Sequence, residues 1–278
     1  MAEARIARDA DASCAGREAR PGSPGEPLPP PPPAATLTAC ALLLDLDGTL
    51  VEFAARPEEV ALDPHLLELL RALRTATGGA LALVSGRTIA TLDRLTAPER
   101  FAAAGLHGFE LRSAAGRRRS HAPPNGEALA EARACLSRRV AAHPQLLLED
   151  KGHALALHYR RAPQLQPLAL AAIANVIGRS SGLRMQRGSM VAEVMPAGIS
   201  KATGVAELMG ERPFLGRLPV YVGDDLTDES AFHWVNGAGG LSVHVGMPRP
   251  SAALTRLASV PAARAWLSGF APPWGPAT

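Results

Sequence analysis

The strongest constraint on what this chain can fold into is an apolar pentapeptide that ends in two aspartates. Cys40-Ala41-Leu42-Leu43-Leu44 runs directly into Asp45-Leu46-Asp47-Gly48-Thr49-Leu50. Such a run has the length of a strand and offers no side to water, so it belongs inside a parallel sheet covered on both faces. Ligands of open α/β sheets bind outside the carboxyl ends of the strands, where Asp45 and Asp47 fall. Residues two apart on a strand point the same way, so both carboxylates aim into one crevice. Gly48 lets the backbone turn there without a Cβ clash. A capped turn explains one aspartate, not two. Two carboxylates this close repel unless a cation or a shared proton lies between them.

The surrounding pattern alternates. DPHLLELLRALRTATGG carries Leu66, Leu67, Leu69, Leu70 and Leu73 at helical spacing, with Asp63 and Pro64 at its start and Gly78 at its end. ALALVSGR reads as the next strand, TIATLDRL as a helix and FAAAGLHG as a third strand. The β-α-β-α-β order predicts an α/β fold with a doubly wound, Rossmann-like parallel sheet. Between about Leu111 and Met195 the order breaks. Polar, hairpin-like pieces (SAAGRRRSHAPPNG, DKGHALALHYRRAP, LRMQRGSMVAEVMP) flank two helical stretches, Gly126 to Ala142 and Gln164 to Gly178. Ala154 to Tyr159 alternates as a half-exposed antiparallel strand does. An inserted α+β unit is therefore expected over residues 112–195, within a core made of 38–111 and 196–278. The parallel pattern resumes with helix Lys201 to Met209, strand LPVYVG, helix DESAFHWV, strand LSVHVG and a last helix from about Pro261 to Leu267.

Residues 1–37 read as a disordered, Pro-rich tail. Pro29 to Pro33 is unbroken proline, which favours an extended helix without internal hydrogen bonds. The segment has too little apolar surface to offset its ordering entropy. A docking segment for a proline-reading partner is the functional alternative.

Composition removes several classes. Across 278 residues, 29 Lys plus Arg face 26 Asp plus Glu, and the net charge of +3 is too weak a field to argue for nucleic acid. Aromatics at 4% leave few stacking platforms for bases. No apolar run approaches the roughly 20 residues a membrane helix needs, and no leader-like opening is read. Cys14, Cys40 and Cys135 are odd in number and widely spaced, which fits a reduced, cytoplasmic setting. The sequence leaves the oligomeric state open, with a monomer as one reading.

A second acidic segment, Gly223-Asp224-Asp225-Leu226-Thr227-Asp228-Glu229, follows strand LPVYVG. Thr227 can cap the next helix, and Asp228 and Glu229 suit the positive end of its dipole. Asp224 and Asp225 then stand as a third and fourth carboxylate at the sheet's carboxyl edge. An all-oxygen cluster with no Cys or His nearby is the ligand set of a hard cation, Mg²⁺ foremost. Ser85-Gly86-Arg87 ends the second strand just before a helix, where a hydroxyl and free N–H groups can hold a phosphate. Ser200 reads as an N-cap, which puts Lys201 at the wrong end of a helix dipole unless an anion compensates. A solvated surface lysine is the other reading.

DLDGTL, VSGR, the Lys201 segment and GDDLTDE, in that order, resemble the four motifs of the haloacid dehalogenase (HAD) superfamily of Mg²⁺-dependent phosphotransferases. The insertion is placed like that superfamily's C2-type cap. Within it the chain resembles the trehalose-6-phosphate phosphatase family over about Ala39 to Leu267. GLHGFE, EDKGHALALHYR, VAEVMPAGISKATGV and GDDLTDE are similar to that family's segments. Ala202 departs from the Gly usual after the motif lysine.

The resemblance implies hydrolysis of trehalose 6-phosphate, with Asp45 as nucleophile and Asp47 as general acid and then base. It implies Mg²⁺ on Asp45, the Asp47 carbonyl and Asp224, supported by Asp225 or Asp228. Thr49, Ser85 and Lys201 would hold the phosphoryl oxygens. Arg87, His107, Glu110, Lys151, His158, Arg160 and Glu193 would face the substrate. His107 serves as well as a satisfied loop histidine, and His158 as a half-buried sheet residue. Arg117 to Arg119 read as a solvated hairpin tip, and Cys135 as packing. A phosphatase for another phosphosugar, such as sucrose phosphate or mannosyl-phosphoglycerate, and a non-catalytic sensing subunit are the other functions considered.

Overall fold

A computed structural model describes residues 28–37, 39–54, 59–121 and 126–270. Strands β1 (Cys40–Leu44), β2 (Leu81–Val84) and β3 (Ala102–Gly105) alternate with helices α1 (Pro64–Ala76) and α2 (Ile89–Thr96); β4 (Glu110–Arg112) and β5 (Arg118–Ser120) then turn back antiparallel. Next come α3 (Gly126–Ala142), β6 (Leu147–Asp150), β7 (Leu155–His158), α4 (Gln166–Ile177), β8 (Leu183–Gly188) and β9 (Val191–Pro196). The chain closes with α5 (Lys201–Met209), β10 (Leu218–Gly223), α6 (Glu229–Gly237), β11 (Leu241–Val245), β12 (Thr255–Leu257) and α7 (Val260–Ser268).

The strands form an eight-stranded sheet in the order β12-β11-β10-β1-β2-β3-β4-β5 and a four-stranded sheet in the order β6-β7-β9-β8. Every residue of β1 is buried, as its unbroken apolar run requires. Leu42 and Leu44 pack on the α1 and α7 side, with Leu66, Leu70, Leu73 and Leu267, while Ala41 and Leu43 pack on the α5 and α6 side, with Val205, Leu208 and Phe232. One strand thus feeds two cores by alternation alone. The helices start where local chemistry allows. Asp63 accepts the Leu66 N–H at 2.9 Å with Pro64 in the first turn, and Thr88 accepts the Thr91 N–H at 3.1 Å. Strand order reverses between β1 and β10, so their carboxyl ends flank the crevice where such folds place ligands.

The four-stranded sheet has one helix-covered face. Leu155, Leu157, Ala192 and Val194 pack with α3 and α4 around Leu136 and Ile173. The alternate residues Ala156, His158 and Glu193 point to the opposite face, with Ala156 paired to Glu193. That face meets the carboxyl edge of the large sheet.

Two boundaries differ from the sequence reading. Arg118–Ser120 is a strand of the large sheet, so that sheet extends beyond Arg112 before the smaller unit begins. Its partner β4 supplies a paired edge, which overrides the polar composition of the segment. The described part of the Pro-rich segment is also not disordered. Pro31 and Ala34 are buried, Ala34–Thr36 makes a 3-10 turn, Arg256 N–H donates to the Pro29 carbonyl at 2.9 Å and the Trp266 indole donates to Pro32 at 2.8 Å. An extended proline helix leaves its carbonyls free, and β12 and α7 supply the donors. Residues 1–27 of the expected tail, and 271–278 of the expected core, lie outside the described residues. Among the described residues no helix is long and apolar enough to cross a membrane.

Candidate active site

Asp45 leaves β1 with its N–H on the Val222 carbonyl of β10 at 2.9 Å, which fixes the two strand ends side by side. The Thr49 hydroxyl lies 3.4 Å from Asp45 Oδ2 and 3.2 Å from Asp224 Oδ1, so it sits between the two carboxylates. Gly48 makes this approach possible. Its φ is +83°, and a Cβ there would stand 2.2 Å from Asp224 Oδ2. Gly223 does the same on the other strand, where a Cβ would meet Asp228 Cγ at 2.4 Å.

Lys201 Nζ lies 2.9 Å from Asp45 Oδ1 and 2.6 Å from Asp228 Oδ1, with only 2% of its side chain exposed. The anion that compensates a lysine at the start of α5 is therefore a pair of protein carboxylates. Burial alone would lower the lysine's pKa, and Asp228 and Asp45 overcome that and hold it fully charged. Asp228 carries more than a helix dipole. Its Oδ1 accepts from Lys201 and from the Tyr221 hydroxyl, each at 2.6 Å, and its Oδ2 accepts the N–H groups of Asp224 and Asp225 at 3.1 and 2.9 Å.

Asp47 is gripped by Arg87, whose Nε and Nη2 each donate to one carboxylate oxygen at 2.7 Å. Ser85 Oγ accepts the Arg87 N–H at 3.1 Å, which leaves its own proton to donate into the cleft.

The smaller unit closes over these groups. Lys151 Nζ donates to the Gly86 carbonyl at 2.9 Å and to Glu193 Oε1 at 2.7 Å, and His107 Nε2 meets Glu193 Oε2 at 2.6 Å. Burial pushes Glu193 upward, but Lys151 and His107 overcome it and hold the carboxyl well below the usual carboxylate range. His158 Nε2 lies 2.9 Å from Glu149, and Arg160 donates to the Ser189 carbonyl at 3.2 Å while covering the Phe53 ring at 4.5 Å. Together these groups line one cleft.

Two expected roles change, and two others widen. Glu110 does not line the cleft; its carboxylate accepts the free Ile89 N–H at the start of α2, at 2.7 Å. Asp225 turns to the Ser189 N–H of the smaller unit at 3.0 Å instead of joining the metal-ligand cluster. Asp228 keeps its expected place in the carboxylate cluster, and its four protein donors also make it the group that organises that cluster. Arg87 lines the cleft as expected and also orients Asp47.

Three groups went unread in the sequence. Tyr221 holds Asp228 from within β10. Arg249 Nη2 donates to the carbonyls of Asp224 and Asp225 at 3.3 and 3.0 Å and pairs with Glu229 at 2.5 Å. His244 Nε2 lies 3.2 Å from the same Asp224 carbonyl. No spacing signal links these residues to the loop they brace; only GDD followed by a helix marks the loop.

One ligand oxygen each from Asp45, Asp224 and Asp228 lies within 4.8 Å of the others. Burial pushes Asp45 and Asp224 well above the usual carboxylate range. Repulsion adds to it, from Asp228 and Asp47 on Asp45 and from Asp45 and Asp228 on Asp224, and together they outweigh the opposing pull of Lys201. Five carboxylates and five Lys or Arg side chains line the cleft, so an incoming phosphate dianion needs further positive charge. A hard divalent cation fits both requirements and the all-oxygen donors.

A family model described as trehalose-phosphatase matches residues 43–260. The trehalose-6-phosphate phosphatase of Escherichia coli (strain K12) is 42% identical over 228 residues, covering 82% of this chain and 85% of that protein. The C. albicans trehalose-6-phosphate phosphatase C-terminal domain shares the fold with a TM-score of 0.77 at 19% identity, over 85% of this chain and 93% of that one. A phosphatase of the HAD superfamily from Bacteroides thetaiotaomicron superposes with a TM-score of 0.58 at 19% identity, over 83% and 94%. A lysine between two aspartates at the switch point of a doubly wound sheet is thus set in a recognised family: the chain belongs to the trehalose-phosphatases, phosphomonoester hydrolases of the HAD fold.

Proposed function

We propose that this protein hydrolyses trehalose 6-phosphate to trehalose and phosphate through a phosphorylated Asp45. The observation that carries the reading is Asp45 itself, a buried carboxylate held by Lys201 and Thr49 at the β1–β10 crevice with Asp47 beside it. Asp45 attacks phosphorus and the bond to the sugar oxygen breaks; Asp47 delivers a proton to that oxygen. Water then attacks the acyl phosphate and Asp47 takes up its proton, which releases phosphate and restores Asp45. Lys201, Thr49 and Ser85 hold the transferring oxygens. Bound Mg²⁺ would sit on the carboxylates of Asp45 and Asp224 with the Asp47 carbonyl, and supplies the remaining charge neutralisation.

The smaller unit acts as a C2-type cap. Lys151, Glu193, Glu149, His158 and Arg160 present donors and acceptors to the sugar hydroxyls and exclude bulk water. Free Cys40 and Cys135 accord with a cytoplasmic, reducing setting. Phosphate release from trehalose 6-phosphate, sucrose 6-phosphate, mannosyl-phosphoglycerate and glucose 6-phosphate tests the reading. A kcat/KM for trehalose 6-phosphate at least about 100-fold above the others is expected; a preference for another member of the panel overturns it.

A further inference from the structure

At the end of the large sheet away from the cleft, a second recess gathers guanidinium groups. Strand β4 runs antiparallel to β3, with Glu110 opposite Gly105 and Arg112 opposite Ala103. Glu110 therefore lies toward the cleft, and Arg112 at the amino-terminal ends of the parallel strands. There the β4–β5 turn and the residue before Phe101 enclose a hollow lined by Arg100, Arg112, Ser113, Ala114, Gly116 and Arg118.

Every charged group on that wall is a cation. One carboxylate behind it, Asp93, pairs with all three arginines, at 2.5 Å for Arg100. The recess keeps an excess of two positive charges. Arg112 is fixed, with Nε and Nη2 on the Phe101 carbonyl at 2.8 and 2.6 Å and 4% of its side chain exposed. Arg100 and Arg118 are exposed over 65% and 53% of their side chains, and each gives Asp93 one of its five N–H groups. Ser113 Oγ accepts the Arg117 N–H at 3.1 Å, which leaves its hydroxyl proton without a role in that bond. The wall offers donors in forked, planar arrays, with no side-chain carboxylate among its lining residues. Forked guanidinium donors match the paired oxygens of a phosphoryl group better than any cation or sugar.

We propose that this recess binds a small phosphoryl oxyanion, at a site separate from the cleft where Asp45 lies. Arg112, held by Phe101 and Asp93, forms the fixed floor, and the exposed Arg100 and Arg118 close on the ligand from either side. The proposal does not depend on which phosphosugar the cleft accepts.

Pyrophosphate is the probe, with thermal melting as the readout, in EDTA and at constant ionic strength balanced with NaCl. The wild-type protein and Asp45→Asn are expected to gain about 3 °C or more at saturation. The Arg100→Ser/Arg118→Ser double variant retains the Arg112–Asp93 pair and is expected to melt normally without ligand and to lose the gain. Arg118→Ser alone should weaken binding about tenfold, which keeps the test open if the double variant misfolds. A gain that persists in the double variant, is lost in Asp45→Asn, or is absent from the wild type overturns the proposal.

Discussion

Both sheets place buried charge at the cleft, but they satisfy it in different ways. On the large sheet, Asp45, Lys201 and Asp228 take all their named partners from the same unit: Thr49, Tyr221 and the N–H groups of Asp224 and Asp225. On the small sheet, Glu193 and Lys151 are buried to a similar degree, yet their partners His107 and Gly86 belong to the other unit. The first arrangement is complete whichever way the small unit sits. In the second, the Lys151–Glu193 pair lies within the smaller unit, but its remaining partners are supplied only when the units are together. Under the proposed function, chemistry is thereby built into one unit, and recognition into the contact between the two.

The most severe test of that division removes the nucleophile. Asp45→Asn should lower kcat by at least about 10³-fold, while the melting temperature holds or rises, because burial and its acidic neighbours already disfavour the ionised carboxylate. Turnover near wild type, measured as phosphate release, would sink the mechanism. Glu193→Gln comes next. It should raise KM for the phosphosugar roughly 10- to 100-fold and leave turnover of a generic aryl phosphate nearly unchanged; equal losses on both substrates would show that Glu193 belongs to the chemistry and not to recognition.

A smaller effect probes the bracing of the second acidic loop. Arg249→Met should weaken Mg²⁺ binding about tenfold by calorimetry, because Arg249 holds the Asp224 and Asp225 carbonyls. Unchanged affinity would separate the brace from the metal ligands. The mildest effect is on pH. Glu193 is held below its ordinary range in the folded protein, so its ionisation stabilises the fold above its unfolded value of roughly 4.3, and that contribution fades as pH falls below it. The melting difference between wild type and Glu193→Gln should therefore be constant from pH 7 to about 5 and shrink toward pH 3. A difference that does not change over that range would remove Lys151 and His107 as the cause.

Legibility in the sequence followed the distance over which each residue is determined. DLDGTL and GDDLTDE were readable because an apolar strand, a period of two and a following turn put their aspartates at one edge with no help from elsewhere. Glu110 looked like a pocket acid, and only the approach of α2's first N–H, from 21 residues away, gave it another use. Asp228 looked like a complement to a helix dipole. Lys201, 27 residues before it, and Tyr221 on the adjoining strand turn it into the hub. Arg249 carried no motif, because its partners are main-chain carbonyls that any sequence supplies.

What the sequence determined by itself is the doubly wound order, the carboxyl-edge placement of Asp45, Asp47 and Asp224, and a base at Lys201. These follow from hydrophobic period and turn chemistry, both of which act within a few residues. The tertiary structure decided which carboxylates remain open to a ligand and which are filled by protein donors. It also docked the proline segment on β12 and α7 and gathered Arg100, Arg112 and Arg118 around Asp93. Each of these depends on a donor meeting an acceptor across the fold, and a buried polar group takes whichever partner the packing brings within reach.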